Sequence, residues 1–219
     1  MTPRAVCLDV MGTLFDLSAA RRRLEALGAP PVALEAWFGR MLHAAAALTL
    51  IGDYRPFPEV GKPVLESVLA QMDLDPEGAG DVLGALAELD AYPDAAPALE
   101  RLSGAGIRLV ALTNGTAKNT STLLGRAGLD RYVEEVIPTD DVGAYKPHPA
   151  AYRHAVERLA LPPGEVTLIA AHGWDVIGAR AAGRGAVGVR RHERRWPLPP
   201  PEPPSAADLA DAADRILAG

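Results

Sequence analysis

Cysteine is nearly absent. Cys7 is the single cysteine in 219 residues. That excludes an internal disulfide and any zinc site built on cysteines, and it agrees with a reducing compartment. No apolar run reaches the length a bilayer requires, and no basic segment followed by a long apolar stretch opens the chain. We therefore expect a cytoplasmic protein, neither exported by a signal peptide nor embedded in a membrane. Positive charge is not in excess: 22 basic residues stand against 28 acidic ones, a net charge of −6. No electrostatic footprint for nucleic acid or an anionic membrane is visible, so neither is expected as a partner. The local basic cluster Arg190-Arg191 to Arg194-Arg195 reads as a solvated loop. His148, His154 and His192 lack metal-ligand spacing and are expected on the surface.

What is present suits a globular chain. The hydrophobic fraction is 48% and the charged fraction 23%, near the averages for soluble domains, and the length supports one core with a modest insertion. Residues 5–10 form a short apolar run that stops at Gly12-Thr13, the pattern of a buried strand ending in a tight loop, with Asp9 at its end. From Leu17 to about Asp90 the spacing is helical, broken at Gly28–Pro31, Gly52-Asp53, Pro56–Pro63 and Pro76–Gly78, which predicts about four helices and no sheet. Beyond Pro93 helices 94–104, 117–127, 148–158 and 175–182 alternate with strands 107–112, 132–137, 165–170 and 186–189. Such alternation predicts an α/β fold, a parallel sheet covered by helices. Residues 197–204 read as a proline-rich connector and 206–217 as a terminal helix. The helical segment then reads as an insertion after the first strand, with a core of residues 1–15 and 91–219 and a helical unit of 16–90.

Ligands of open parallel sheets bind outside the carboxyl ends of the strands. The loops there hold Asp9 to Asp16, Thr113-Asn114-Gly115, Lys146, and Ala171 to Asp175. Burial of Asp9 raises its pKa unless a cation or several N–H donors compensate. Lys146, in a loop kept extended by the prolines on either side of His148, is placed to supply that charge and keep the carboxylate nucleophilic. Thr13, Thr113 and Asn114 offer hydroxyl and amide donors to orient it. On these residues alone, Asp9 reads equally as a loop carboxylate capping backbone N–H groups.

Taken together, Leu8-Asp-Val-Met-Gly-Thr-Leu-Phe-Asp16, Leu112-Thr-Asn-Gly-Thr116, Tyr145-Lys-Pro147 and Trp174-Asp-Val-Ile-Gly-Ala179 resemble, in order, the four motifs of the haloacid dehalogenase superfamily. The resemblance implies a Rossmann-like core with an inserted helical cap. It also implies a covalent aspartyl-ester cycle in which Asp9 attacks, Lys146 holds Asp9 ionised, Asp175 helps water attack the ester, and Thr13, Thr113 and Asn114 orient the reacting groups. The likeness is greatest to the 2-haloacid dehalogenase branch. Met11 stands where phosphatase members carry the aspartate that protonates an alkoxide, and a halide leaves without protonation. This implies hydrolytic dehalogenation of short 2-haloacids with no cofactor, and it allows a homodimer.

The resemblance places Met11, Phe38, Leu42, Phe57, Tyr152, His172 and Trp174 at the positions around the substrate. Phe38 stands at the place of the halide-binding arginine, and Arg40, two positions on, lies about 200° round a helix. Gly39, Ala170 and His172 replace a glutamine, a serine and an asparagine. A carboxylate is then expected to dock on backbone N–H groups near Met11, Gly12 and Asn114. His172 either accepts a proton from the attacking water or fills space and bonds to backbone. Phe38 either joins Met41, Leu42 and Ala45 in an apolar stripe that packs the cap, or enlarges an apolar pocket with Phe57 and Trp174. Trp174 either lines the cavity or covers a helix start, and Asp175 suits a helix cap as well as catalysis. Two other readings stay open: a Mg²⁺-dependent phosphatase with Asp9 and Asp175 as metal ligands, and a degenerate hydrolase that binds a ligand or partner without turning it over.

Overall fold

The computed structural model describes residues 2–191, 193, 195–198 and 202–219. His192, Arg194 and the prolines at 199–201 lie outside the described residues. Strand β1 is Ala5–Leu8, and it sits in the middle of a fully parallel six-stranded sheet. The others are β2 (Arg108–Thr113), β3 (Glu135–Pro138), β4 (Val166–Ala170), β5 (Gly185–Val189) and β6 (Ser205–Ala206), in the order β3-β2-β1-β4-β5-β6. Every residue of β1 is buried because both faces are covered. Val6 and Leu8 join the core on one face, Ala5 and Cys7 the core on the other, so an alternating strand reads as one apolar run. Cys7 is pushed up to about 12 by burial and is an inert core thiol.

Helices α5 (Ala95–Gly104), α6 (Ala117–Arg126) and α9 (Leu209–Ala218) contribute to the first core, while α7 (Pro149–Leu159) and α8 (Gly173–Ala181) contribute to the second. Between β1 and α5 lie four helices: α1 (Ser18–Ala26), α2 (Ala33–Ile51), α3 (Phe57–Gln71) and α4 (Ala79–Gly84). The chain leaves and re-enters the sheet layer by two paired linkers. Asp16 N–H donates to Asp90 O at 2.9 Å, Tyr92 N–H donates to Leu14 O at 2.9 Å, and Phe15 and Ala91 form an antiparallel bridge.

On α2 the buried residues include Trp37, Met41 and Ala45, with the Trp37 indole N–H donating to Gly61 O at 3.0 Å. Phe38 and Leu42 are only half buried. This corrects the stripe drawn through Phe38, Met41, Leu42 and Ala45: Trp37 is one residue, about 100°, round the helix, and it takes the packed side. Two other expectations shift. Strand 132–137 starts only at Glu135, where pairing with Val110 begins, because Tyr132 is still in a turn, its N–H donating to Leu129 O. The terminal helix starts at Leu209, not 206, because Asp208 accepts from Asp211 N–H as its cap and Ser205–Ala206 pairs with β5. Among the described residues, no helix is long and apolar enough to cross a membrane.

Candidate active site

Leu8 pairs with Ala111 of β2 and Ile169 of β4, so Asp9 emerges at the carboxyl edge of the central strand, where the strand order reverses. That is the crevice where ligands of open α/β sheets bind. Thr113 ends β2, Lys146 lies between β3 and α7, and Asp175 lies in the first turn of α8. The four predicted loops therefore converge on one point.

The Lys146 ammonium is the hub. Its Nζ donates to Asp9 Oδ1 at 2.8 Å, to Asp175 Oδ2 at 2.7 Å and to Leu112 O at 2.8 Å, which uses all three of its protons. The Thr13 hydroxyl donates to Asp9 Oδ2 at 2.5 Å and accepts from Ala171 N–H at 2.8 Å. The Tyr152 hydroxyl donates to Asp175 Oδ1 at 2.6 Å. Asn114 exchanges two hydrogen bonds with the Lys146 backbone, its Oδ1 accepting from Lys146 N–H at 2.9 Å. The Thr113 hydroxyl oxygen accepts from Gly115 N–H at 2.9 Å.

Charge follows from this geometry. Burial pushes Asp9 up, but the Lys146 charge, the nearby His172 ring and the hydrogen bonds from Lys146 and Thr13 outweigh it and hold the carboxyl below the usual carboxylate range. Burial and the neighbouring Asp9 charge raise Asp175 above that range. Burial opposes the Lys146 charge, and the Asp175 and Asp9 carboxylates more than restore it, raising its pKa. One ammonium thus serves two carboxylates, and the trio titrates as a unit. Within it the Lys146 charge favours the ionised form of Asp9.

Facing this network is a narrow pocket lined by Asp9, Met11, Phe38, Met41, Leu42, Phe57, Thr113, Asn114, Gly115, His172 and Trp174. His172 lies between two other rings, 5.4 Å from Phe38 and 5.3 Å from Trp174, stacked on the latter at 11°. Its Nε2 is 3.0 Å from the Met11 carbonyl oxygen, an acceptor, so Nε2 carries the proton and donates. Gly12 closes this corner at φ +78°, and a Cβ there would lie 2.9 Å from His172 Nε2. An outer cleft of about 1100 Å³, part of it open to solvent, shares Phe38, Leu42, His172 and Trp174 with the cavity, so these four residues partition the two spaces.

Of the predicted site residues, Asp9, Met11, Phe38, Leu42, Phe57, Thr113, Asn114, His172 and Trp174 line the cavity. Thr13, Lys146, Tyr152 and Asp175 stand behind it and are fully buried. Both Asp175 oxygens are engaged, by Lys146 and Tyr152. Arg40 points away, exposed and bonded to Gln71. His148 caps α7 from the surface, its Nδ1 accepting from Ala150 N–H, and His154 is half buried, 3.4 Å from Asp141.

The side chains suit Mg²⁺ poorly. Met11 and Ala170 offer no oxygen, the Asp175 oxygens are already bonded, and the Lys146 ammonium sits between the two carboxylates. Among the described residues, no three His, Cys, Asp or Glu side chains converge on a common point.

One residue near the site was misread. Arg191 is not in a solvated loop: its side chain is 11% exposed and bonds to the Thr13 carbonyl and to Asp94. Nothing in the local sequence distinguishes it from Arg190, which is exposed.

Residues 3–183 match the sequence model of haloacid dehalogenase-like hydrolases. The chain is 35% identical over 192 residues to (S)-2-haloacid dehalogenase 4A of Burkholderia cepacia, an alignment covering 86% of this chain and 83% of that protein. Identity to (S)-2-haloacid dehalogenase 1 of Pseudomonas sp. (strain CBS-3) is 31%, covering 86% of this chain and 85% of that protein. In three dimensions it superimposes with a TM-score of 0.87 and 27% identity on L-2-haloacid dehalogenase from Xanthobacter autotrophicus with chloropropionic acid covalently bound, over 99% of each chain.

Proposed function

This chain belongs to the haloacid dehalogenase-like hydrolases, and we propose that it hydrolyses the carbon–halogen bond of short 2-haloacids through an ester on Asp9. An Asp9 carboxylate oxygen attacks C2. The new C–O bond forms as the carbon–halogen bond breaks, and the halide leaves with the bonding pair. Water then attacks the carbonyl carbon of the ester, releasing the 2-hydroxyacid and restoring Asp9. The proton that water sheds goes to the Asp175 carboxylate behind Asp9, one of whose oxygens gives up its bond from Lys146 or Tyr152 to accept it.

One observation carries this reading: Asp9, at the wall of a mostly apolar pocket beneath the cap, is held ionised by Lys146 and Thr13. The covalent adduct in the Xanthobacter relative supports it. The substrate carboxylate rests on backbone N–H groups around Met11 and Asn114, since Gly12 N–H already donates to Phe15 O and position 38 is phenylalanine rather than arginine. His172 orients the Met11–Gly12 peptide; its Nε2 carries the proton donated to Met11 O and so is not the base. Phe38 limits the cavity on the cap side. No metal takes part, and residues 16–90 form the cap, hinged where Asp16 and Asp90 pair.

The test is a panel of 2-haloacids and aryl phosphates incubated with and without EDTA. We expect halide release from the haloacids, unchanged by EDTA. Phosphate release abolished by EDTA would replace this reading with a phosphatase, and ligand binding without any product would replace it with a non-catalytic binder.

A further inference from the structure

Arg191 lies just after β5, remote in sequence from every motif of the site. Its NH2 nitrogen donates to the Thr13 carbonyl at 3.3 Å and to Asp94 Oδ1 at 2.8 Å. Its guanidinium lies 3.8 Å from the centre of the Tyr92 ring, close enough for a cation–π contact. Asp94 is itself anchored, its Oδ2 accepting from Leu209 N–H at 2.8 Å.

These contacts join the two cap linkers at one cation. Thr13 leads into the outgoing linker and Tyr92 belongs to the returning one, where its N–H already bonds to Leu14 O. Thr13 is also the residue whose hydroxyl holds Asp9 Oδ2. A shift of the Thr13 peptide therefore moves the hydrogen bond that aims the nucleophile. The Arg191 Nε–H is buried with no hydrogen-bond partner, a cost that stability alone would not favour.

We propose that Arg191 is a positioning residue: it fixes the Thr13 peptide against the returning linker, and through the Thr13 hydroxyl it sets the attack orientation of Asp9. It touches no reacting atom. Lysine would not replace it, because a compact ammonium cannot lie flat on Tyr92 while reaching both Thr13 O and Asp94. The inference rests on the proposed ester chemistry for its effect on rate.

Arg191→Gln and Arg191→Lys are compared with the parent enzyme for kcat and KM on 2-chloropropionate, for ester formation on Asp9 in a single turnover read by intact mass, and for melting temperature. Both variants are expected to stay folded and to lose about tenfold or more in kcat and in ester formation, with KM within about twofold. In a Thr13→Val background the Arg191→Gln change is expected to cost less than about twofold, because the link it acts through is already gone. A kcat within about twofold of the parent, or an equal loss in both backgrounds, overturns the proposal. Amide exchange gives a reading that needs no substrate. Faster exchange at residues 12–16 and 90–92 of Arg191→Gln supports the staple, and unchanged protection there overturns it. A parent enzyme that releases no halide instead defeats the proposed reaction and leaves the exchange result to decide Arg191.

Discussion

The two sides of Asp9 are built from different chemistry. Behind it, toward the sheet, every polar atom of the Lys146–Asp175–Tyr152 group has a partner and the side chains are fully buried. In front, toward the cap, His172 stacks on Trp174 with the Phe38 ring tilted against it, beside a small space. A satisfied buried network tolerates little change, since removing one member strands the others without solvent. A ring-lined wall exchanges one shape for another at modest cost. The back thus dictates which bonds form and break, and the front dictates which molecules fit.

The largest effect is expected at the hub. Lys146→Met leaves two buried carboxylates without a counter-charge, so activity should fall by about 10³-fold or more and stability by about 3–5 kcal/mol at neutral pH. The pH dependence should also change sign. In the parent, Asp9 has a lowered pKa, so its contribution is present above the ordinary carboxylate value and lost as pH falls through the lowered one. Lys146, raised, contributes below the ordinary lysine value and loses its contribution as pH rises through the raised one. Without the ammonium, burial raises both carboxyls, the native state takes up protons more readily than the unfolded chain, and the variant should gain stability as pH falls toward about 4. Asp175, already raised in the parent, acts in the same direction in both proteins. Urea melts at several pH values measure the slopes, and parallel slopes would remove the distinction between back and front.

Tyr152→Phe is a milder cut in the same network. It leaves Asp175 Oδ1 without its donor, and a loss of about 1–3 kcal/mol is expected in thermal or urea unfolding. A neutral result would show that the Tyr152 hydroxyl adds nothing to the stability of the network.

On the front wall, His172→Asn keeps a donor for the Met11 carbonyl, and kcat should stay within about threefold of the parent. Build-up of the Asp9 ester in that variant would instead make His172 the base and blur the division. The smallest stability effect belongs to Phe38→Ala, whose half-buried ring should cost about 1–2 kcal/mol. Its expected signature lies in selectivity: the partition to the outer cleft opens, and the ratio of kcat/KM for bulky over small 2-haloacids rises. Unchanged selectivity would mean that Phe38 serves packing alone.

The same division explains what could be read from the chain. Asp9, Thr113, Lys146 and Asp175 each follow a strand in the sequence, and the rule that ligands gather at strand ends was enough to bring them together. The alternation of strands and helices beyond Pro93 was legible because both faces of the sheet demand continuous apolar strands. The facing of Phe38 was not, since Trp37 next to it competes for the packed side and only the position of α3 decides between them. Strand β6 is two residues long beside a proline-rich stretch and leaves no periodic signal. Arg191 was illegible for another reason: its partners Thr13 and Asp94 lie 178 and 97 residues away.

The central claim, that Asp9 itself bonds to the substrate carbon, is tested most directly by one turnover with enzyme in excess over 2-chloropropionate in H₂¹⁸O. A covalent cycle predicts that the 2-hydroxyacid carries unlabelled oxygen taken from Asp9, while ¹⁸O enters the Asp9 carboxylate and is found in the peptide containing it. Labelled hydroxyacid with an unlabelled Asp9 peptide would mean that water attacks the substrate directly, and would contradict the account.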